Sequence, residues 1–176
     1  MVPEAPMERS DTGAMAAGDG WFTVNARDAR WFEGHFGSFT RFGEGETRFP
    51  QLGINIGVLQ PGQPACMYHR EEEQEDFLVL SGEALLLIEG EERRLKAWDF
   101  VHCPSGTDHV FVGAGDGPCA ILGVGSRSGG GVVYPESELA QRYGAGVEHE
   151  TPRPAEAYAS FPPDAETPYR DGWLPR

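Results

Sequence analysis

Two histidines and two glutamates in this sequence have the residue types and the spacing that a metal site requires. His69 and Glu71 are two positions apart, so on a β-strand both side chains point to the same face, and Glu75 joins them if the alternation continues. His109 follows in another segment with strand character. Two imidazoles with one or two carboxylates suit a divalent transition metal such as Zn, Fe, Mn or Ni. The alternative is a solvated acidic loop at residues 71–76 beside a core histidine, because most charge runs are solvated.

The segments that must position these residues have the pattern of short β-strands. Apolar side chains occupy every second position of residues 52–58, which is the period of a strand with one buried face. Further strands are predicted at residues 65–71, 77–80, 84–88, 93–97, 99–103, 108–112 and 119–124, with Gly-, Pro- and Ser-rich turns between them. Short strands at even spacing predict an all-β protein, an antiparallel sandwich or barrel.

The flanking segments differ in composition from this strand-rich part. Residues 1–20 are small, acidic and interrupted by Pro and Gly, so we expect a flexible leader. The aromatic residues of positions 21–49 have no regular spacing, which predicts an irregular segment that wraps one face of the core; the alternative is that they line a ligand entrance. In residues 126–176 we expect a linker, a short helix at 136–143 and a Pro-rich tail that packs on its own domain or on a neighbouring subunit.

Composition narrows the classes of partner and the compartment. The chain has 176 residues, and 28 Asp and Glu against 14 Lys and Arg give a net charge of -14, which disfavours binding to nucleic acids and to anionic membrane surfaces. Its length suits a single domain. No apolar run approaches the ~20 residues of a membrane helix, and the N-terminus lacks the pattern of a secretory signal. The 3 cysteines have no CxxC spacing, so we expect reduced thiols and a cytoplasmic protein.

Two segments around the candidate ligands resemble the two sequence motifs of the cupin superfamily. The first motif, G-x5-H-x-H-x3,4-E-x6-G, is similar to the series Gly62, His69, Glu71, Glu75 and Gly82. The second, G-x5-P-x-G-x2-H-x3-N, is similar to residues 98–113, where Pro104, Gly106 and His109 match with the correct spacing. The resemblance covers residues 48–125, and several anchors in order are far more specific than any one of them.

The sequence departs from these motifs at four positions. Glu71 stands where the family has its second metal-binding histidine, and Gly62 is one residue further from the first histidine than the motif requires. Trp98 replaces a glycine, and Gly113 replaces the terminal asparagine. A carboxylate at position 71 still binds hard or borderline cations, so a site of two histidines and one or two carboxylates remains chemically sensible.

The resemblance implies a double-stranded β-helix, a jelly-roll barrel spanning residues 21–125 together with the N-terminal wrap. In that fold the candidate metal ligands His69, Glu71, Glu75 and His109 face the lumen. Apolar residues on the same or adjacent faces would line it, namely Val79, Leu85, Leu87 and Phe111. Sheet edges that the barrel leaves open are commonly covered by a second subunit, so we expect a homodimer.

For function, the resemblance implies a metal-dependent enzyme, an oxygenase, isomerase or lyase, that acts on a small oxygen-bearing molecule. The metal would polarise an oxygen of the substrate, and Glu71 would move a proton. The alternative is a non-catalytic module that binds a small molecule or a sugar, with a structural metal or none; a storage or protein-interaction scaffold is a third class. His102 is either a further ligand or a structural residue, and Cys103 is either a reactive thiol or a small buried hydrophobe.

Overall fold

The computed structural model describes residues 1–43 and 49–175, and its regular structure is mostly antiparallel β-sheet. The strands of the described residues are β1 (Met7–Ser10), β2 (Gly13–Ala16), β3 (Trp31–Gly34), β4 (Gly37–Arg41), β5 (Leu52–Leu59), β6 (Arg70–Glu71), β7 (Glu75–Ser81), β8 (Glu83–Ile88), β9 (Glu91–Lys96), β10 (Phe100–Cys103), β11 (His109–Ala114), β12 (Cys119–Ser126), β13 (Val132–Val133) and β14 (Ala165–Thr167). Two short helices follow the main strands, α1 (Glu138–Arg142) and α2 (Pro154–Ala157).

Two sheets carry the core. The larger has seven strands in the order β10-β7-β12-β5-β4-β3-β14, and the smaller has three in the order β11-β8-β9. All neighbouring strands in both sheets are antiparallel. Isolated bridges between Pro64 and Val112 and between His69 and His109 join the smaller sheet to the segment that precedes β6. This is the all-β, double-stranded β-helix arrangement expected from the sequence.

Apolar side chains from both sheets meet in the interior, and one sequence prediction about them is wrong. Val79 and Phe111 belong to this interior cluster, as predicted. The residues of β8 that pack in it are Ala84, Leu86 and Ile88. Leu85 and Leu87 instead point to the opposite face, where they pack in the cluster that contains Ala140 of α1. Residues 84–88 are apolar at every position, so the alternation that identifies an inward face is missing there.

The outer face of the seven-stranded sheet is covered by the C-terminal tail of the same chain. Ile56 and Val58 pack there with the buried Trp31 and Trp173, whose ring centroids are 5.0 Å apart. Ile56 and Val58 of β5 therefore face this outer layer, whereas Leu59 at the end of the strand packs in the interior cluster. The glycines of β5 and Asn55, on the other face, point to the interior. Strand β14 extends the sheet by pairing with β3.

The N-terminal third is more regular than expected. Residues 31–41 form the β3–β4 hairpin of the large sheet, where the sequence suggested an irregular wrap. Both faces of β3 are covered, Trp31 by the tail and Phe32 by a stacked contact with Phe39 at 5.5 Å between centroids, so no polar face marks it as a strand. The expected flexible leader contains the β1–β2 hairpin. Residues 44–48 of the expected wrap and motif region, and residue 176, lie outside the described residues.

The predicted short helix is present as α1, slightly shorter than residues 136–143. Its N-terminus is capped by Ser137, whose hydroxyl oxygen accepts a hydrogen bond from the Ala140 N–H at 3.2 Å. Glu138 in the first turn and Arg142 in the last complement the helix dipole. In residues 1–43 and 49–175 no helix has the length and apolar character needed to cross a membrane.

Candidate metal centre

Three of the four predicted ligands come together in the interior. His69, Glu75 and His109 each offer one ligand atom, and these atoms all lie within 4.8 Å of one another. The Nε2 atom of His69 is 3.8 Å from Oε2 of Glu75, and Nε2 of His109 is 3.4 Å from the same oxygen. Two imidazole nitrogens and one carboxylate are a common first set of ligands for a divalent transition metal.

Backbone hydrogen bonds hold the two histidines next to each other. The N–H of His109 donates to the carbonyl of His69 at 2.8 Å, and the N–H of His69 donates back to His109 at 3.2 Å. The two histidines therefore sit directly opposite each other as an antiparallel pair, with ring centroids 4.9 Å apart. Glu75 begins β7 in the facing sheet and points to the same interior space.

The outer nitrogen of each imidazole is held by a backbone carbonyl. Nδ1 of His69 is 2.8 Å from the Met67 oxygen, and Nδ1 of His109 is 3.0 Å from the Thr107 oxygen. A carbonyl can only accept, so Nδ1 carries the proton in both rings and Nε2 keeps its lone pair toward Glu75. Metal-binding histidines are usually oriented by such a second contact.

The ionisation of the three groups also fits a cation. Burial, and then the neighbouring His109, lower the pKa of His69 to about 4, and burial lowers the pKa of His109. Both rings are therefore neutral ligands at pH 7. Burial, and then the charge of Glu71, raise the pKa of Glu75 to about 8. Without a cation this carboxyl is protonated at neutral pH, and a bound cation would favour its ionised form.

A cavity of about 480 Å³ opens onto these three residues. Five aromatic residues line its walls, Phe36, Phe39, Phe77, Phe111 and Tyr158. Phe36 and Phe39 come from the segment 21–49, whose aromatic residues were expected either to pack on the core or to line a ligand entrance. These two line the cavity, whereas Trp31 packs in the core.

Comparisons with known proteins agree with this architecture. Residues 55–125 match the cupin-domain family. Residues 55–125 therefore belong to the cupin superfamily. The polyketide cyclase RemF from Streptomyces resistomycificus has 16% sequence identity and a TM-score of 0.54 over 61% of this cupin and 80% of that chain, a likeness of fold. A sugar phosphate isomerase from Silicibacter pomeroyi has 23% identity and a TM-score of 0.49, over 86% of this chain and 83% of that one.

A solved structure from Acidithiobacillus ferrooxidans has 27% identity and a TM-score of 0.47, over 55% of this cupin. The alignment covers 65% of that protein, slightly less than two thirds of its length. No curated protein matches this sequence at a significant level.

Glu71, the fourth predicted ligand, is not a member of the cluster in this cupin. It lies on the wall of an adjoining cavity of about 380 Å³, to which Glu75 also contributes. Burial, and then the charge of Glu73, raise the pKa of Glu71. The assignment of Glu71 as a ligand and as the proton-transfer group stays a prediction.

Glu73 has a structural role that the sequence did not indicate. It is 7% exposed, and its carboxylate accepts hydrogen bonds from the Ser126 hydroxyl, from the Ser128 hydroxyl at 2.7 Å and from the Gly130 N–H at 2.8 Å. These donors lower its pKa to about 2. The hypothesis of a solvated loop at residues 71–76 is therefore wrong at this position, and only the fold reveals it because the donors come from residues 126–130.

Three other residues lie near the centre without belonging to the cluster of ligands. His102 is half-exposed and its Nδ1 is 2.7 Å from Oδ1 of Asp76, so it is outside the cluster. Cys103 is buried in the interior cluster, and burial raises the pKa of its thiol to about 12, which fits a small hydrophobe. Cys66, which the sequence did not single out, lines the cavity with its Sγ 3.6 Å from Nδ1 of His69. The irregular backbone between β5 and β6 brings it there.

The structure shows why the cupin motif has a glycine at the position of Trp98, and why this chain has Gly113 in place of the asparagine. Trp98, at a position where the motif has glycine, has a φ of 75°, in the left-handed region that glycine tolerates best. Gly113 replaces the terminal asparagine, and a Cβ atom there would lie 2.1 Å from the carbonyl oxygen of Gln60. The turn after β5 therefore packs against β11 too closely for any side chain at this position.

Proposed function

We propose that this cupin is a metal-dependent enzyme that acts on a small oxygen-bearing molecule as an oxygenase, isomerase or lyase. The proposal rests on one observation. The Nε2 atoms of His69 and His109, each oriented by a backbone carbonyl on the opposite nitrogen, face the same carboxylate oxygen of Glu75. Ionising Glu75 at this buried position is costly because no ordinary hydrogen-bond donor reaches its carboxylate, and a divalent cation would compensate that cost.

Different residues of the site would bind the metal, orient its ligands and transfer a proton. His69, Glu75 and His109 would hold the metal, which when bound acts as a Lewis acid on an oxygen of the substrate. Met67 and Thr107 keep the two imidazoles in the ligating tautomer through their carbonyls. The aromatic walls limit the access of water. Glu71, beside Glu75 on the wall of the adjoining cavity, is the group that we propose to carry a proton to or from the substrate.

Elemental analysis of untagged protein purified without chelator tests the metal centre. We expect near-stoichiometric metal in the parent and its loss in His69→Ala and in His109→Ala. His102→Ala is the matched control, since this histidine contacts Asp76 at the surface and should leave the metal in place. Stoichiometric metal in the double variant His69→Ala/His109→Ala would overturn the site. No metal after reconstitution would favour a non-catalytic binding module instead.

We also propose that the enzyme works as a cytoplasmic homodimer. All three cysteines are free thiols, which is consistent with a reducing compartment. Trp98 and Phe100 are exposed on and beside β10, the strand at one edge of the large sheet, which is consistent with an interface to a second copy. Light scattering of the parent and of Phe100→Ser tests this; a monomeric parent would contradict it.

A further inference from the structure

We propose that the cavity beside the metal centre takes an uncharged, planar aromatic molecule whose oxygen substituent points toward His69, Glu75 and His109. The proposal rests on the proposed function, because it names the substrate class of the same site. Three independent features of the cavity carry it: the composition of its walls, an open position in its floor, and its balance of charge.

The aromatic walls come from separate parts of the chain. Phe77 and Phe111 are 4.7 Å apart between ring centroids, and Phe77 is 5.3 Å from the His109 ring, so this part of the wall continues directly into the ligand set. Phe36 and Tyr158 meet edge to face at 5.3 Å, with Tyr158 supplied by the end of α2. Aromatic rings favour offset-stacked and edge-to-face contacts with one another, so such walls favour a flat aromatic guest.

The floor of the cavity has a position left open. Gly57 pairs with Phe39 across β4 and β5 and lines the cavity. A Cβ atom at Gly57 would have no neighbour within 4 Å, so no close packing requires a glycine here. Its φ lies outside the left-handed region, so no backbone strain requires one either. The space beside Phe39 is therefore free for a ligand.

The charged residues that line the cavity offer little to hold a polyanionic guest. Among the described residues that line it, Arg41 is the one with a permanent positive charge, and its guanidinium lies 4.4 Å from the Phe39 ring centroid. Asp164 lines the same cavity, as does Glu75, whose carboxyl is protonated in the metal-free protein at pH 7. Glu71, Glu73 and Arg127 line the adjoining cavity. Phosphate groups are normally held by several cationic side chains or by a helix N-terminus, and residues 1–43 and 49–175 place neither of these on the cavity wall.

Fluorescence titration with 2-naphthol tests the proposal, with decahydro-2-naphthol and ribose 5-phosphate measured by competition. All are titrated against metal-free protein, so that chelation does not contribute. The saturated alcohol has the same carbon skeleton and more apolar surface, so hydrophobic burial alone would favour it. We expect 2-naphthol to bind about 2- to 10-fold tighter than decahydro-2-naphthol, from ring–ring contacts, and ribose 5-phosphate to bind at least about 10-fold more weakly.

Variants locate the binding. Gly57→Val suits a strand and fills the open floor, so we expect a loss of at least about 10-fold in affinity for 2-naphthol. Gly117→Val is the matched control, since that glycine also has open space around its Cβ position but lies in the turn between β11 and β12. Phe39→Leu keeps an apolar wall without the ring and should reduce the preference for the aromatic probe. Thermal melts confirm that each variant is folded.

The outcomes separate this proposal from the metal centre. Equal or tighter binding of decahydro-2-naphthol or ribose 5-phosphate overturns the aromatic class, as does a Gly57→Val variant that binds 2-naphthol as the parent does. Stoichiometric metal together with either result would leave the proposed function standing and remove only the substrate class. Conversely, a protein that takes up no metal but keeps the ring preference and the Gly57→Val effect would overturn the metal centre alone.

Discussion

Glu73 and Glu75 are two residues apart and both are largely buried, yet their surroundings differ in kind. Glu73 accepts hydrogen bonds from two hydroxyls and one N–H of the segment 126–130, and its pKa falls to about 2. Among the described residues no donor makes such a bond to Glu75, which faces the Nε2 atoms of two neutral imidazoles and has a pKa raised to about 8. The negative charge of Glu73 is therefore stabilised by donors of the chain itself, whereas that of Glu75 would need a bound cation.

The largest effect that the comparison predicts is on metal affinity. Glu75→Gln removes the charged ligand. Loss of a residue that only orients a metal ligand lowers metal affinity by up to roughly 100-fold, so we expect a larger fall here. The folded metal-free protein should tolerate the change, because the native carboxyl is already protonated there at pH 7. Isothermal titration with Zn2+ and thermal melts measure both. A metal-free Glu75→Gln protein that is strongly destabilised would contradict this assignment.

The pH dependence of stability should separate the two glutamates next. The pKa of Glu75 is raised from 4.5 to about 8 in the folded metal-free protein, so its contribution is fully present below pH 4.5 and is lost as the pH rises through 8. We expect metal-free parent protein to lose stability over that window by an amount on the order of a few kcal/mol relative to Glu75→Gln. Urea melts across the window measure it. Parallel curves for the two proteins would show that Glu75 is not protonated in the fold.

The sequence predicted one half of this comparison and not the other. The motifs around His69, Glu75 and His109 identified the three clustered residues, whereas strand alternation alone paired His69 with Glu71, which is not in the cluster. The role of Glu73 depends on Ser126 and Ser128, more than fifty positions away. Nothing in the acidic run itself distinguishes a carboxylate that will meet distant donors from one that will not.

The same limit applies to the fold. Strands whose large apolar residues alternate with small or polar ones, such as residues 52–58, were predicted close to their observed places. Strand β3 and the inward face of β8 were not, because their residues are apolar on both sides and the signal lies in the alternation. The packing of the tail on Trp31 could not be predicted from the sequence, because aromatic residues in a Pro-rich segment do not indicate which surface they pack against.

A smaller effect than either of those is expected from Glu73→Gln. An amide lacks the negative charge that strengthens all three of these hydrogen bonds, and it has only one acceptor oxygen, so the melting temperature at pH 7 should fall. Because the folded pKa is depressed, the stabilisation by Glu73 is present above pH 4.5 and is lost as the pH falls toward 2. The difference from the parent should therefore shrink over that window. Metal content should stay at the parent level, which is the opposite of Glu75→Gln.

The smallest predicted effect comes from removing a single donor of Glu73. Ser128→Ala leaves the Ser126 hydroxyl and the Gly130 N–H in place, so the melting temperature should fall by less than in Glu73→Gln. The pKa of Glu73 should rise only part of the way to 4.5, which carboxyl NMR shifts across an acid titration report directly. Ser105→Ala, in the exposed turn after β10, is the matched control and should change neither quantity. If Ser128→Ala left the pKa of Glu73 unchanged, its depression would come from the remaining donors alone, and the loop at 126–130 would matter through its backbone and Ser126.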